Sequence, residues 1–255
     1  MNENLFSLAG ARALVIGGGS GIGRALALGL GAAGAAVHVA GRRPQPLEET
    51  VASIRAGGGR ADALPFDVTD LGALDAAVRS LEDAGALPDI LVNAQGVMLL
   101  RKSEEFSEAD YDRIMDTNLK SVWFASTRFG RRMLARGSGS IISVASMSSF
   151  RGFPGNGVYC LSKHGVRALT ETLAAEWAGR GVRVNAIAPG FFLTDLNRDV
   201  MDEERGRRVL SRTPMQRFGR LDELVGAAVY LASPAAGYVT GITIPVDGGF
   251  LALGV

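Results

Sequence analysis

The chain has a single cysteine, Cys160, in 255 residues. No internal disulfide can form, which fits a reducing compartment. A lone cysteine is most simply a small packing residue, and Cys160 is read so, against a redox role suggested only by its place beside Tyr159. With two histidines, His38 and His164, the chain cannot assemble a four-ligand structural zinc site of the usual type, and no metal is expected. Charge of one sign is missing too. Lysine and arginine total 27 against 26 acidic residues, a net charge of +1 that gives no support for nucleic-acid binding. No apolar run reaches the length of a membrane span, and Met1–Gly10 lacks the basic and apolar regions of a secretion signal. The expectation is a cytoplasmic protein without a membrane partner.

What is present suits one large α/β domain over residues 1–255. Hydrophobic residues make up 47% of the chain, enough for a large core. Short apolar runs at Ala11–Ile16, Ala36–Ala40, Arg60–Phe66, Asp89–Val92, Ser140–Ala145, Val182–Ala188 and Ile242–Val246 read as about seven strands. Helical patterns lie between them. Glu104–Arg136 reads as helices with Asn118 inside the longer one, and Val158–Ala178 as another long helix. Asn is a poor helix-interior residue, so Asn118 is either a buried structural amide or a functional one. Alternation of strand and helix predicts a parallel sheet covered on both faces. Residues 190–214, long and charged, are expected to form a substrate lid with a helix near Glu203–Leu210.

The first strand runs into Gly17-Gly18-Gly19-Ser20-Gly21-Ile22-Gly23 and then an Ala/Leu-rich helix. Glycines let backbone approach a pyrophosphate, and the helix N-terminus adds free N–H groups and a positive dipole end. The second strand ends at Gly41-Arg42-Arg43, where an acidic residue would bind a ribose 2′-hydroxyl and repel a 2′-phosphate. A guanidinium fork suits phosphate, so NADP(H) is favoured over NAD(H), unless both arginines are only solvated loop charges. Asp67, after the third strand, either accepts from an adenine amino group or serves its turn, and Thr69 or Asp70 caps the next helix.

Only three lysines and four tyrosines occur, yet one of each falls at Tyr159-x-x-x-Lys163. That spacing is one helical turn, with Cβ atoms about 5–6 Å apart. A phenol of ordinary pKa about 10 needs about 4 kcal/mol of preference for phenolate to work as a base near pH 7. One ammonium about 4 Å away supplies about that much at an effective dielectric near 20. Ser146 ends the fifth strand, and ligands in open parallel sheets gather at such carboxyl ends.

Taken in order, Gly17-x-x-x-Gly21-x-Gly23, Asp67, Asn93-Ala94-Gln95-Gly96, Asn118, Ser146, Tyr159-x-x-x-Lys163, Pro189-Gly190 with Thr194, and Asp247-Gly248-Gly249 make nearly the whole chain resemble a short-chain dehydrogenase/reductase. The resemblance implies a Rossmann-type doubly wound sheet. It implies Tyr159 as general acid for carbonyl reduction and base for alcohol oxidation. Lys163 would lower the pKa of Tyr159 and hold the nicotinamide ribose, Ser146 would bond the reacting oxygen, and Asn118 would position a relay water. Ser20, Ile22, Val68, Pro189, Gly190 and Phe192 join the implied cofactor site. Asn93 and Gly96 would shape the ribose wall, and Thr194 would meet the carboxamide or phosphates. Ile16 stands where the family usually has Thr, and Ala94-Gln95 replaces Asn-Ala.

Softer stretches, such as Ala188-Pro-Gly-Phe191, Arg212-Thr-Pro214 and Val246-Asp-Gly-Gly-Phe250, resemble the gluconate 5-dehydrogenase and keto-deoxygluconate dehydrogenase type. An anionic sugar acid needs a cation near Ser146, for which Arg101, Arg151 and His164 are candidates, with Ser148 beside them. A homotetramer built on the helices carrying Asn118 and Tyr159 and on the last strand is also implied. The competing readings are a 3-oxoacyl-thioester or general carbonyl reductase, and a non-catalytic dinucleotide sensor.

Overall fold

The structure, a computed structural model, describes residues 4–194 and 202–253. Part of the expected lid, residues 195–201, therefore lies outside the described residues. Seven strands form one parallel sheet in the order β3-β2-β1-β4-β5-β6-β7. They are β1 (Arg12–Ile16), β2 (Ala36–Gly41), β3 (Arg60–Pro65), β4 (Ile90–Asn93), β5 (Gly139–Val144), β6 (Val182–Pro189) and β7 (Thr243–Val246). The helices are α1 (Gly21–Ala32), α2 (Pro44–Ala56), α3 (Leu71–Asp83), α4 (Glu108–Met115), α5 (Ser121–Arg136), α6 (Gly157–Trp177), α7 (Glu203–Ser211) and α8 (Val225–Ala232).

Strand β1 shows why the sheet is buried on both sides. Side chains alternate across a strand. Ala13 and Val15 enter one core with Leu26 and Leu30 of α1, Ile54 of α2 and Leu231 of α8. Leu14 and Ile16 enter the other with Leu74 of α3, Phe129 of α5 and Trp177 of α6. The ring of Trp177 lies where a Cβ on Gly130 would come within 2.6 Å, so α5 and α6 pack closely through that glycine.

Local chemistry sets the helix ends that matter for the site. Asp70 caps α3, its Oδ1 accepting from the Gly72 and Ala73 amides at 2.8 and 3.1 Å. Ser107 and Asp110 form a reciprocal capping box on α4. The expected helices over Glu104–Arg136 start at Glu108, and Asp116–Lys120 between α4 and α5 is a π turn. Such a bulge, common at functional sites, holds Asn118 fully buried rather than on an ordinary helical face.

Candidate active site

The strand order reverses between β1 and β4, and crevices at such points hold ligands in doubly wound sheets. A cleft of about 870 Å³ opens there, along the carboxyl ends of the strands. Gly17 has φ +82°, and a Cβ on it would fall 2.8 Å from the Ala94 carbonyl carbon. A Cβ on Gly23 would lie 2.1 Å from the Gly17 carbonyl oxygen. Only bare backbone closes this turn against α1. Ser20, at the N-cap of α1, makes no side-chain capping bond and lines the cleft with Gly19, Gly21 and Ile22. The cradle fits a dinucleotide pyrophosphate at a helix N-terminus.

At one end of the cleft are Arg42, Arg43, Asp67 and Val68. Arg42 is paired with Asp67 at 3.8 Å, both open to solvent, and Asp67 also accepts from the Thr69 amide and hydroxyl at 2.9 and 2.7 Å. Asp67 thus serves its turn and anchors an arginine at once.

Ser146, Tyr159 and Lys163 line the other end, with Gly96, Pro189, Gly190, Phe192 and Thr194 along the same groove. Ser146 Oγ accepts from the Ser148 amide at 3.1 Å, which orients it. Burial pushes the Tyr159 phenol up to about 12, partly opposed by a hydrogen bond between its hydroxyl and that of Ser146. Burial brings the Lys163 amine down to about 8. Its Nζ donates to the Val144 carbonyl at 2.8 Å and lies 5.6 Å from the Tyr159 ring centroid. The expected lowering of the phenol by this amine is therefore not seen in the chain alone. The geometry assumed for it, about 4 Å of open approach, ignored both the loss of water around the phenol and the carbonyl that engages the ammonium.

Some sequence candidates lie outside the cleft wall. Asn93 is buried and donates to Ser126 Oγ at 3.1 Å, on the core side of β4. Asn118 accepts from the Val97 amide at 2.8 Å and donates to the Val97 carbonyl and Ser162 Oγ at 2.9 and 3.2 Å. Its carboxamide clamps the segment after β4 beside Gly96, where a Cβ would be 3.6 Å from Asn118 Oδ1 and 3.8 Å from Lys163 Nζ. Arg101 pairs with Asp110 at 3.2 Å, Arg151 donates to the Leu251 carbonyl at 3.4 Å, and exposed His164 bonds the Cys160 carbonyl at 2.9 Å. None of these three lines the cleft, although Ser148 does.

Besides Arg42, Arg43 and Lys163, the cations that line it are Arg205, Arg208 and Arg212 of α7 and its C-cap. Their i, i+3, i+7 spacing marks one helical face and was legible in the sequence. Arg208 is paired with Glu204 at 2.8 Å, while the Arg205 and Arg212 side chains have no ion pair among the described residues. The C-terminal end of α7 abuts the turn after β7: a Cβ on Gly248 would meet Thr213 at 3.0 Å. In that turn the Phe250 ring lies 6.0 Å from Phe153 and 5.4 Å from Phe191, forming an aromatic wall. Gln95, from the motif after β4, lines the cleft too, as do Met98 and Asn156, which no local pattern marked.

Sheets of this topology take a dinucleotide where the strand order reverses, and the hydroxyl pair in the same cleft offers the proton donor that hydride transfer to a carbonyl needs. The chain belongs to the short-chain dehydrogenase/reductase family and is an NAD(P)-dependent dehydrogenase acting on CH–OH groups. Residues 17–251 match a family model described as enoyl-(acyl carrier protein) reductase. The chain is 42% identical to gluconate 5-dehydrogenase of Gluconobacter oxydans, over 97% of each chain. It is 41% identical to the L-tagatose-forming galactitol 2-dehydrogenase of Cereibacter sphaeroides, over 97% of this chain and 98% of the relative. Among solved structures it resembles gluconate 5-dehydrogenase of Burkholderia cenocepacia in complex with NADP and tartrate, with TM-score 0.95, 38% identity and 98% coverage of both chains. Among the described residues no helix is long and apolar enough to cross a membrane.

Proposed function

We propose that the protein interconverts a secondary alcohol and a ketone on a sugar acid, with NADP(H) as the hydride carrier. The observation that carries this reading is the hydroxyl pair of Ser146 and Tyr159 in the same cleft as the Arg42–Asp67 pair. The nicotinamide supplies or takes up the hydride. Tyr159, protonated at neutral pH, is general acid toward a ketone oxygen, and Ser146 orients that oxygen. Lys163 would hold the ribose side of the site, and Asn118 fixes the segment after β4 that flanks it. Arg42 and Arg43 offer planar donors to a 2′-phosphate, which favours NADP(H). Arg205 and Arg212 bring positive charge to the cleft, which suits a carboxylate on the substrate. The solved relative bound to NADP and tartrate, a hydroxy acid, fits the same pairing.

The test is a panel of 5-ketogluconate, L-tagatose and an acetoacetyl thioester with NADPH and NADH, read at the reduced nicotinamide band. The expected result is the highest kcat/KM for 5-ketogluconate with NADPH. A preference for the thioester would replace the sugar-acid reading by that of an acyl-thioester reductase. Preference for L-tagatose would assign a neutral polyol.

We also propose that the protein is a homotetramer. Tyr111, Leu119, Trp123 and Phe124 line a groove across α4, α5 and α6, and Trp123 is 41% exposed there. Asp112, Asp116 and Lys120 give this groove both signs of charge, as a self-complementary contact between two copies requires. Ile242 before β7, 41% exposed, and Tyr238, fully exposed, offer a second contact. Light scattering after size exclusion is expected to give four chains for the wild type and a smaller species for Trp123→Glu. An unchanged mass for the variant would remove the groove from the interface.

A further inference from the structure

We infer that Asn156 is a specificity-determining residue, whose side-chain oxygen accepts a hydrogen bond from a substrate hydroxyl on a carbon flanking the reacting one. The inference rests on the sugar-acid reading above and deepens it. Asn156 sits at the N-cap of α6, three residues before Tyr159. An Asn there ordinarily accepts from an amide of the first helical turn. This one makes no side-chain capping bond. The residue instead lines the cleft together with Ser146, Ser148 and Tyr159. The residue is 7% exposed, and its Oδ1 has no hydrogen-bond partner among the described residues. Its amide nitrogen reaches only the thioether of Met98, at 3.8 Å, a weak acceptor.

A buried acceptor left unpaired is costly, and protein structures rarely keep one without a use. Oδ1 is itself enclosed, and a rotation of the side chain would present it to what enters the cleft beside the hydroxyl pair, which is the substrate. Only a donor satisfies a carboxamide oxygen. A ketone oxygen or a carboxylate supplies none, whereas both carbons flanking the C5 ketone of 5-ketogluconate carry a hydroxyl. The apolar Phe153 and Met98 beside Asn156 offer that hydroxyl no competing partner. A site built around such a pair rejects analogues lacking the hydroxyl far better than an apolar pocket rejects a methylene.

The experiment compares 5-ketogluconate with its 4-deoxy and 6-deoxy counterparts on the wild type, Asn156→Leu and Asn156→Asp. In the wild type, one of the two deoxy compounds is expected to lose about 10- to 100-fold in kcat/KM. Asn156→Leu, similar in volume, is expected to lose about that factor on the parent and to treat parent and deoxy compound alike. Asn156→Asp keeps the accepting oxygen and is expected to keep the discrimination. The melting temperature of Asn156→Leu should stay at or above that of the wild type, because no cap is lost. Equal turnover of all three compounds by the wild type overturns the inference without the help of any variant. So does an Asn156→Leu enzyme that is uniformly slower yet still discriminates. A wild type inactive on 5-ketogluconate sinks the sugar-acid reading itself, and this inference with it.

Discussion

Tyr159→Phe is expected to lower kcat for ketone reduction by about 10²- to 10⁴-fold, the usual contribution of a positioned general acid. The phenyl ring keeps the shape of the wall, so NADPH titrated by fluorescence should bind within about twofold of wild type. The pH behaviour follows from the same burial that pushes the phenol up to about 12. Reduction needs the protonated phenol, which is the form present at neutral pH, and should be flat with pH until the hydroxyl begins to ionise. Oxidation needs the phenolate, so its rate should climb with pH. An oxidised, cationic nicotinamide would shift that climb downward through its charge. Undiminished turnover by Tyr159→Phe would show that the proton comes from elsewhere.

Lys163→Met is expected to do two opposite things: abolish most turnover and raise stability at pH 7. The amine is fully enclosed, and burial alone brings it from its ordinary 10.5 to about 8. Between those values the unfolded chain holds a proton that the folded chain has released, so stability rises with pH through the window. Below about pH 8 both states are protonated, and the whole cost of enclosing the charge is in force. At 1.36 kcal/mol per pH unit that cost is about 3 kcal/mol. Losing the bond to the Val144 carbonyl returns about 1 kcal/mol. The net gain of about 2 kcal/mol should raise the melting temperature at pH 7 by roughly 4–8 °C for a chain of this size. The advantage should shrink as pH approaches 10.5. Thermal scans at pH 7 and pH 10 check both points, and a variant less stable at pH 7 would mean that the ammonium is better solvated in the fold than its surroundings indicate. A function-bearing residue that costs stability is the pattern expected where a charge is held dry for chemistry.

Much of the architecture was legible in the order of residues. Apolar runs of four to eight residues separated by helical patterns specify a parallel sheet, because only burial on both faces tolerates such runs. The glycine turn between β1 and α1 was equally plain, since its spacing has meaning only where backbone must approach backbone or a phosphate. Adjacent groups on α6 were readable too: Tyr159 and Lys163 share a face by helical period alone.

Direction and surroundings were not readable, because periodicity says which residues share a face and not what that face meets. The side-chain amides of Asn93 and Asn118 are engaged within the protein, the first by Ser126 and Ser143 and the second by Val97 and Ser162. Arg101, Arg151 and His164 are near the cleft in sequence order but are taken up by Asp110 and by backbone carbonyls. Arg205 and Arg212 reach it from a helix some forty residues after the catalytic candidates, brought there by the packing of Thr213 and Pro214 on the last glycine turn.

The sequence by itself determined the sheet, the glycine cradle and the spacing of Ser146, Tyr159 and Lys163, because each depends on local geometry that neighbouring residues impose. Tertiary structure alone decided the protonation preference of Tyr159 and Lys163, the cations facing the cleft and the unpaired oxygen of Asn156. Those depend on how much water is removed and which distant groups replace it, quantities that exist only once the chain has closed around the site.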